Sequence, residues 1–375
     1  MKNMRTLFLA ITALLLLQAC GGGNAILSDK GEKIDFRYAR NLEMEEHDGF
    51  TLAKIRNPWD TTKLLHSYIL LDDGVVAPEG YPGADIINVP LKRSVVYSAV
   101  HNSLIDEFGV SDAITGICDT EYIYNDSLKR RLKSGVIADC GSSMSPNVEK
   151  ILKLRPGAVL LSPFEGSGGY GKLGHAGIPI VECADYMEIS PLARAEWMRF
   201  YGRLYGCGEK SDSMFIETER QYNGLKAEAA KTSSRPTVML DRIYGQVWNV
   251  PGGRSTMGTM IKDAGGINIF GANDKAGSLQ LSPEKVLYEA KDADIWLIRF
   301  SYEPLTLNSL AEDKAMYTQF KAYKEGRVYG SDSSKSNIFE DQAFHPQWIL
   351  EELIGIFHPE LRPGITEHRY YELLK

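Results

Sequence analysis

The pattern of apolar and polar positions changes character several times along the chain. Residues 7–17 form an unbroken apolar run, preceded by Lys2 and Arg5 and ended by Leu17-Gln18-Ala19-Cys20. A basic start, a short apolar stretch and a small residue before Cys have the layout of an export signal, and the run is too short to span a bilayer. Residues 1–19 are therefore read as a lipoprotein signal peptide and Cys20 as the acylated first residue of the mature chain. Gly21-Gly22-Gly23-Asn24 then begins a flexible tether over 20–32.

Over 33–92, short β-like runs such as 50–55 and 66–71 are separated by the turn signals Asn57-Pro58, Asp73-Gly74 and Tyr81-Pro82-Gly83. This spacing predicts a small antiparallel β extension. From residue 93 apolar β runs alternate with helical stretches, as in parallel βαβ units. Strands are expected at 94–98, 113–118, 158–161 and 178–183, with a helix over 103–108 that ends at Gly109. A second helix is expected to open with Ser145 as its cap and Pro146 in its first turn, stopping near Arg155-Pro156-Gly157. Together these make an N-terminal α/β lobe over 93–205.

Between 190 and 231 the β signal nearly vanishes. Residues 209–231 read as one helix, which at 1.5 Å per residue is roughly 35 Å long, enough to connect two lobes; the linker is drawn at 206–234. A C-terminal lobe over 235–375 restarts with strands at 237–240, 246–250 and 295–299. Ser-Pro followed by Glu-Lys-Ile/Val-Leu and an apolar strand occurs twice, around Glu149 and around Glu284, about 135 residues apart. Such a recurrence suggests a duplicated α/β unit.

Charge narrows the function classes. A net charge of −7 without basic runs gives no electrostatic footprint for nucleic acid. After Cys20, the cysteines Cys118, Cys140, Cys183 and Cys207 match neither paired Cys-x-x-Cys metal sites nor a dense disulfide framework. Pairing of Cys118 with Cys140 is compatible with export, but spacing does not choose among the connectivities.

Several motifs carry less than they promise. Residues 166–173 satisfy two phosphate-loop patterns, yet Leu173 stands where a P-loop needs a hydroxyl for Mg²⁺. Seven histidines are scattered without metal-ligand spacing, no Gly-x-Ser-x-Gly elbow occurs, and no nucleophile, base and orienting acid assemble from spacing, so no enzyme is expected. His101 and His345 are read as loop residues within reach of a ligand. Glu149 and Glu284 both fall in the first turn of a helix, where the macrodipole favours a carboxylate. Either capping or docking onto a basic partner explains them.

The ordered segments Ser94-Val-Val-Tyr-Ser98, Thr115-Gly116-Ile117, Pro146-Asn-Val-Glu149-Lys-Ile-Leu, Gly177-Ile-Pro179, Ala264-Gly-Gly-Ile-Asn268 and Gly326-Arg-Val-Tyr329 resemble the periplasmic binding proteins for iron-siderophores, haem and vitamin B12, over residues 93–360. The resemblance implies an α/β fold of two Rossmann-like lobes joined by a single long helix, here with the small N-terminal β extension. It implies a monomeric, non-enzymatic carrier without a resident cofactor, lipid-anchored in the cell envelope and facing the periplasm. Its partners would be the permease dimer of an ABC importer with its ATPase, Glu149 and Glu284 each docking on a permease arginine. Its ligand would be a small metal complex, a ferric chelate in the first place, with cobalamin or haem as alternatives. Ser143, Ser162 and Ser278 stand where cobalamin binders of the family tend to place tryptophans, which favours iron. A stand-alone scavenging or sensing lipoprotein is the other class.

Open α/β sheets bind ligands at the carboxyl ends of their strands. In the first lobe those loops carry His101, Tyr122, Tyr124, Phe164 and Tyr170. In the second they carry Arg242, Tyr244, Trp248, Arg299 and Tyr302. Aromatic faces with Arg suit a flat or anionic metal complex.

Overall fold

The computed structural model describes residues 31–166, 170–363 and 368–375; the signal peptide, Cys20 and nearly all of the tether lie outside the described residues. Two parallel sheets carry the two lobes. In the first, Ser94–Val96 is central, with Ile114–Ile117 and then Ala138–Asp139 on one side and Ala158–Leu161 and then Ile180–Glu182 on the other, all parallel. In the second, Thr237–Leu240 has Ile267–Asn268 on one side and Ile295–Phe300 and then Val328–Asp332 on the other, all parallel. Glu372–Leu373 closes that edge antiparallel. Strands buried on both faces read as continuous apolar runs, which is why Ala158–Leu161 and residues 295–298 contain no polar side chain.

Aligning Ser94–Val96 with Thr237–Leu240 matches the neighbouring strands one for one, so the repeated motif reports a repeated topology. The helices Val148–Leu154 and Pro283–Ala290 occupy the same connection in each lobe, and Glu149 and Glu284 are each the second residue of their helix. The two starts differ in detail. Ser282 caps its helix and Pro283 opens it. Ser145 and Pro146, expected as cap and first-turn residue, instead pair with Ser142 and Gly141 in a hairpin. The Asn147 amide is held by Cys140 O at 2.8 Å, so the chain is still extended there, and the Asn147 side chain becomes the cap, accepting from Lys150 N at 3.0 Å.

The expected linker is one helix, Gly208–Ala229, about 33 Å long. Phe215 packs in the core of the first lobe, Tyr222 and Ala229 in that of the second. A second connection joins the two cores. The helix Ile338–Phe344 places Ile338 in the second core and Ala343 and Phe344 in the first, and His345 Nε2 meets Glu107 Oε2 at 2.7 Å.

The N-terminal extension is a five-stranded sheet rather than an all-antiparallel one. Glu32–Ile34, Leu42–His47, Phe50–Arg56 and Leu64–Asp72 are antiparallel, but Asp85–Val89 returns parallel to its neighbour. The loop over 73–84 is long enough for the crossover a parallel pair needs. Its inner face, including Met44, Ile55, Tyr68 and Ile87, joins Phe200 and Leu204 of the first lobe in one core. Tyr68 also finishes the lobe's sheet. Its hydroxyl donates to Ile180 O at 2.9 Å and accepts from Glu182 N at 3.0 Å, the main-chain groups that Ile180–Glu182 would otherwise leave unpaired at the edge.

Buried carboxylates fasten both ends of the chain. Glu196, wholly buried, accepts from the main-chain N–H of Arg37 (2.9 Å), Tyr38 (2.8 Å) and Ala39 (2.8 Å). Glu188 takes the next two, Arg40 and Asn41, together with the Trp197 indole. Glu352 accepts from the N–H groups of Arg369, Tyr370 and Tyr371 at 2.8–2.9 Å. Backbone donors with no secondary-structure partner are thus satisfied by charged acceptors, the stronger kind of hydrogen bond. Cys118, Cys140, Cys183 and Cys207 are all free, so Cys118 and Cys140 are not paired.

Replacing Glu196 by Ala leaves three main-chain donors without their acceptor. The expected loss is about 3 kcal/mol or more in urea denaturation, with new proteolytic cleavage near residues 37–40. An unchanged midpoint and cleavage pattern would refute the fastening role.

Candidate functional site

In an open α/β sheet the strand order reverses at one point, and the loops leaving the two strands there diverge to leave a crevice. In the first lobe that point lies between Ser94–Val96 and Ala158–Leu161. A cavity of about 450 Å³ opens there, within the roughly 300–1,000 Å³ of small-molecule sites. Tyr97, Ser98 and Ala99 follow the first strand; Ser162 and Phe164 follow the other; Asp119 and Tyr122 follow Ile114–Ile117. The hairpin over 141–146 adds Ser143 and Met144. Tyr97, Leu161 and Leu173 of the lining belong to an apolar cluster that continues into Val95, Cys118, Cys140, Ile151 and Val159. Burial pushes the Cys118 thiol up to about 12 and the Cys140 thiol to about 11, so both are neutral there.

Three features make this cavity suited to a ligand. Phe164 and Tyr122 present aromatic faces that are more than half exposed. The Tyr97 hydroxyl is buried in the wall and meets no hydrogen-bond partner among the described residues, and burial raises its phenol well above the ordinary value; a buried donor without an acceptor is unfavourable. Asp119 is fixed in the left-handed region (φ +50), where its Oδ1 accepts from Ser143 N at 2.8 Å and ties the hairpin to the cavity.

The second lobe faces the first through Tyr302. Its hydroxyl lies 2.9 Å from that of Tyr124 and 3.1 Å from Glu121 O, the cross-cleft contacts nearest the cavity. Burial, then the bond to Tyr302 and the neighbouring Glu340, push the Tyr124 phenol up. Glu340, itself largely buried, has its carboxyl raised to about 7 by desolvation. At the second lobe's own reversal point, between Thr237–Leu240 and Ile295–Phe300, Arg299 is held by Asp241 (Nε to Oδ1, 3.0 Å) and Arg242 by Asp313 (3.5 Å).

The candidates named from the sequence divide accordingly. Tyr122, Phe164 and Tyr170 line the cavity, and Tyr124 and Tyr302 meet across the cleft. Arg242 and Arg299 reach the carboxyl edge of their sheet but are neutralised by acids. Tyr244 projects from a hairpin with 82% of its surface exposed. Two readings are corrected. Trp248 is fully buried against Trp296, Tyr317 and Phe320, its indole donating to Leu240 O at 2.9 Å, so it is core. His101 lies within the helix Ala99–Glu107 rather than a loop, and its Nε2 is 2.8 Å from Asp185 Oδ1 in the interior. His345 is likewise engaged, with Glu107. Tyr97, Asp119 and Met144 escaped the sequence reading; the position of Tyr97 and Asp119 directly after apolar strands was the available signal. Glu149 and Glu284 are exposed, and no ion pair engages either among the described residues.

Asp185 also accepts from Arg194 Nε at 3.0 Å and from the Tyr201 hydroxyl at 2.8 Å. Burial works against its ionisation, but His101, Arg194 and Tyr201 together hold its carboxyl well below the usual carboxylate range.

Residues 94–334 match the periplasmic binding protein family. An uncharacterized lipoprotein of Methanocaldococcus jannaschii is 30% identical over 92% of this chain and 87% of its own. The fold is shared with the ABC-type Fe3+-hydroxamate transport system of Saccharomonospora viridis (TM-score 0.57, 16% identity, 72% of this chain and 94% of that one). A periplasmic heme binding protein of Pseudomonas aeruginosa is equally similar (TM-score 0.57, 16% identity, 72% and 93%).

Because the Asp185 pKa is lowered on folding, its stabilisation is full above the ordinary carboxylate value near 4 and is lost as pH falls from there towards the folded value. Asp185→Asn is expected to lose about 3–5 kcal/mol at neutral pH, and its deficit against the wild type should shrink below about pH 4. A deficit independent of pH in acid titrations of thermal unfolding would contradict this.

Proposed function

The chain belongs to the periplasmic binding protein family, and from that premise we propose that it is a lipid-anchored substrate-binding protein that captures a ferric chelate in its cleft and delivers it to the permease of an ABC importer. The observation that carries this reading is the cavity at the first lobe's reversal point, walled by Tyr97, Tyr122, Phe164 and Tyr170, in the lobe that Tyr302 of the other lobe meets at Tyr124. Aromatic faces in a partly closed site bury a bulky, flat-sided complex well. The named cargoes of the fold relatives, a ferric hydroxamate and heme, make iron complexes the first to try. Ser143 and Ser162 in the wall leave the space that tryptophans would fill, which favours a chelate over a corrin.

Delivery needs a surface that a two-fold permease recognises in both lobes. Glu149 and Glu284 suit this role because they occupy equivalent helices of the repeat, exposed and without ion-pair partners among the described residues. One acid per lobe would meet one permease subunit each. Exposed pairs of this kind contribute roughly 0.2–1 kcal/mol apiece, so their service is orientation and encounter rate more than affinity. The lipoprotein relative supports an anchor at Cys20.

Charge reversal of both acids, Glu149→Arg with Glu284→Arg, should abolish uptake in cells carrying the importer while the purified protein keeps its ligand affinity. Uptake that survives the double reversal would remove the docking role. Native mass spectrometry with an absorbance spectrum of freshly purified protein tests the cargo itself.

A further inference from the structure

Among the described residues of the cavity wall, Asp119 is the one acidic side chain and there is no basic one. Apart from Asp119, its described lining is aromatic, aliphatic or hydroxylic, with no Lys, Arg or His. Residues 167–169 of the neighbouring loop are Ser-Gly-Gly and bring no charge. Asp119 uses Oδ1 on Ser143 N, while Oδ2 meets no donor among the described residues. The arginines that the second lobe brings to its carboxyl edge are committed, Arg299 to Asp241 and Arg242 to Asp313. Drawing Arg299 onto an anionic ligand would strand the partly buried Asp241, whereas Arg242 meets the exposed Asp313 at 3.5 Å.

We infer that the site selects neutral or cationic complexes, with an apolar body for the aromatic wall and donor groups or positive charge facing Asp119, and that it rejects anionic chelates. This reverses the expectation drawn from aromatic and Arg content alone, because the cavity's described lining carries an acid and no arginine, and Arg299 is spent on Asp241. It rests on the reading of the cavity as the chelate site and narrows that reading to one charge class. A polyanionic chelate would bring like charge against Asp119 in a wall of low polarity, where screening is weak. A neutral tris-hydroxamate meets no such opposition.

The test is calorimetric titration of the purified full chain with three ferric probes: the cationic complex of desferrioxamine B, a neutral tris-hydroxamate and a trianionic tris-catecholate. The hydroxamates are expected to bind at least about tenfold more tightly than the catecholate. Asp119→Asn keeps the acceptor for Ser143 N and tolerates the left-handed backbone, and should narrow that gap by about tenfold. If the variant does not fold, the ranking of probes by the wild type still decides. A catecholate bound as tightly as the hydroxamates overturns the charge selection while leaving a chelate carrier standing. Failure of all three probes, and of heme and cobalamin, would overturn the carrier and this inference together.

Discussion

The constraint on which the molecule depends is the spacing of two sheet edges that must face each other without touching. A single covalent linker could not fix that spacing by itself, since a helix end is a natural pivot. Here the linker helix is clamped along its length: Phe215 is embedded in one core, Tyr222 and Ala229 in the other. In the second connection, Phe344 reaches into the first core against His101 and Tyr201, while Ile338 of the same short helix stays in the second. Close-packed interiors transmit displacement rather than absorb it. The gap between the lobes is therefore set by packing, and the phenol pair Tyr124 and Tyr302 spans it at its mouth.

The same economy appears in how the chain ends are held. Neither the segment 37–41 nor 369–371 has a continuous strand or helix to satisfy its amides, and both are held by buried glutamates, Glu196 and Glu352 from helices and Glu188 from the turn after Asp185–Met187. A carboxylate can accept several N–H groups at once, so a single side chain does what a strand pairing would otherwise do. The acid is tolerable in the interior because it is fully hydrogen-bonded. Arg37 and Tyr38 extend the arrangement to Glu219 of the linker helix, so the extension is fastened to the element that joins the lobes.

How far the sequence could be read follows from the range of each interaction. The linker helix was legible because an uninterrupted helix-compatible stretch needs only local information. The duplicated unit was legible because its two copies repeat Ser-Pro, an acid and an apolar strand in order. His101 was misread because its partner, Asp185, is 84 positions away, and nothing near His101 marks it as internal. Trp248 failed similarly: its strand belongs to the small sheet with Ile243–Tyr244 and Ser278–Leu281, which lays the indole over Trp296 rather than in the cleft. The arginines illustrate a further limit. Composition places Arg242 and Arg299 at the carboxyl edge correctly, but only the fold reveals that Asp313 and Asp241 have already taken their charge.

The Tyr68 hydroxyl has a consequence beyond its two hydrogen bonds. A parallel sheet whose last strand is open invites another chain to dock along it, the usual route to ordered aggregation. By occupying Ile180 O and Glu182 N together, Tyr68 removes the two groups an incoming strand would have to engage first. The extension thus acts as a guard on the lobe's margin, discouraging self-association along that edge.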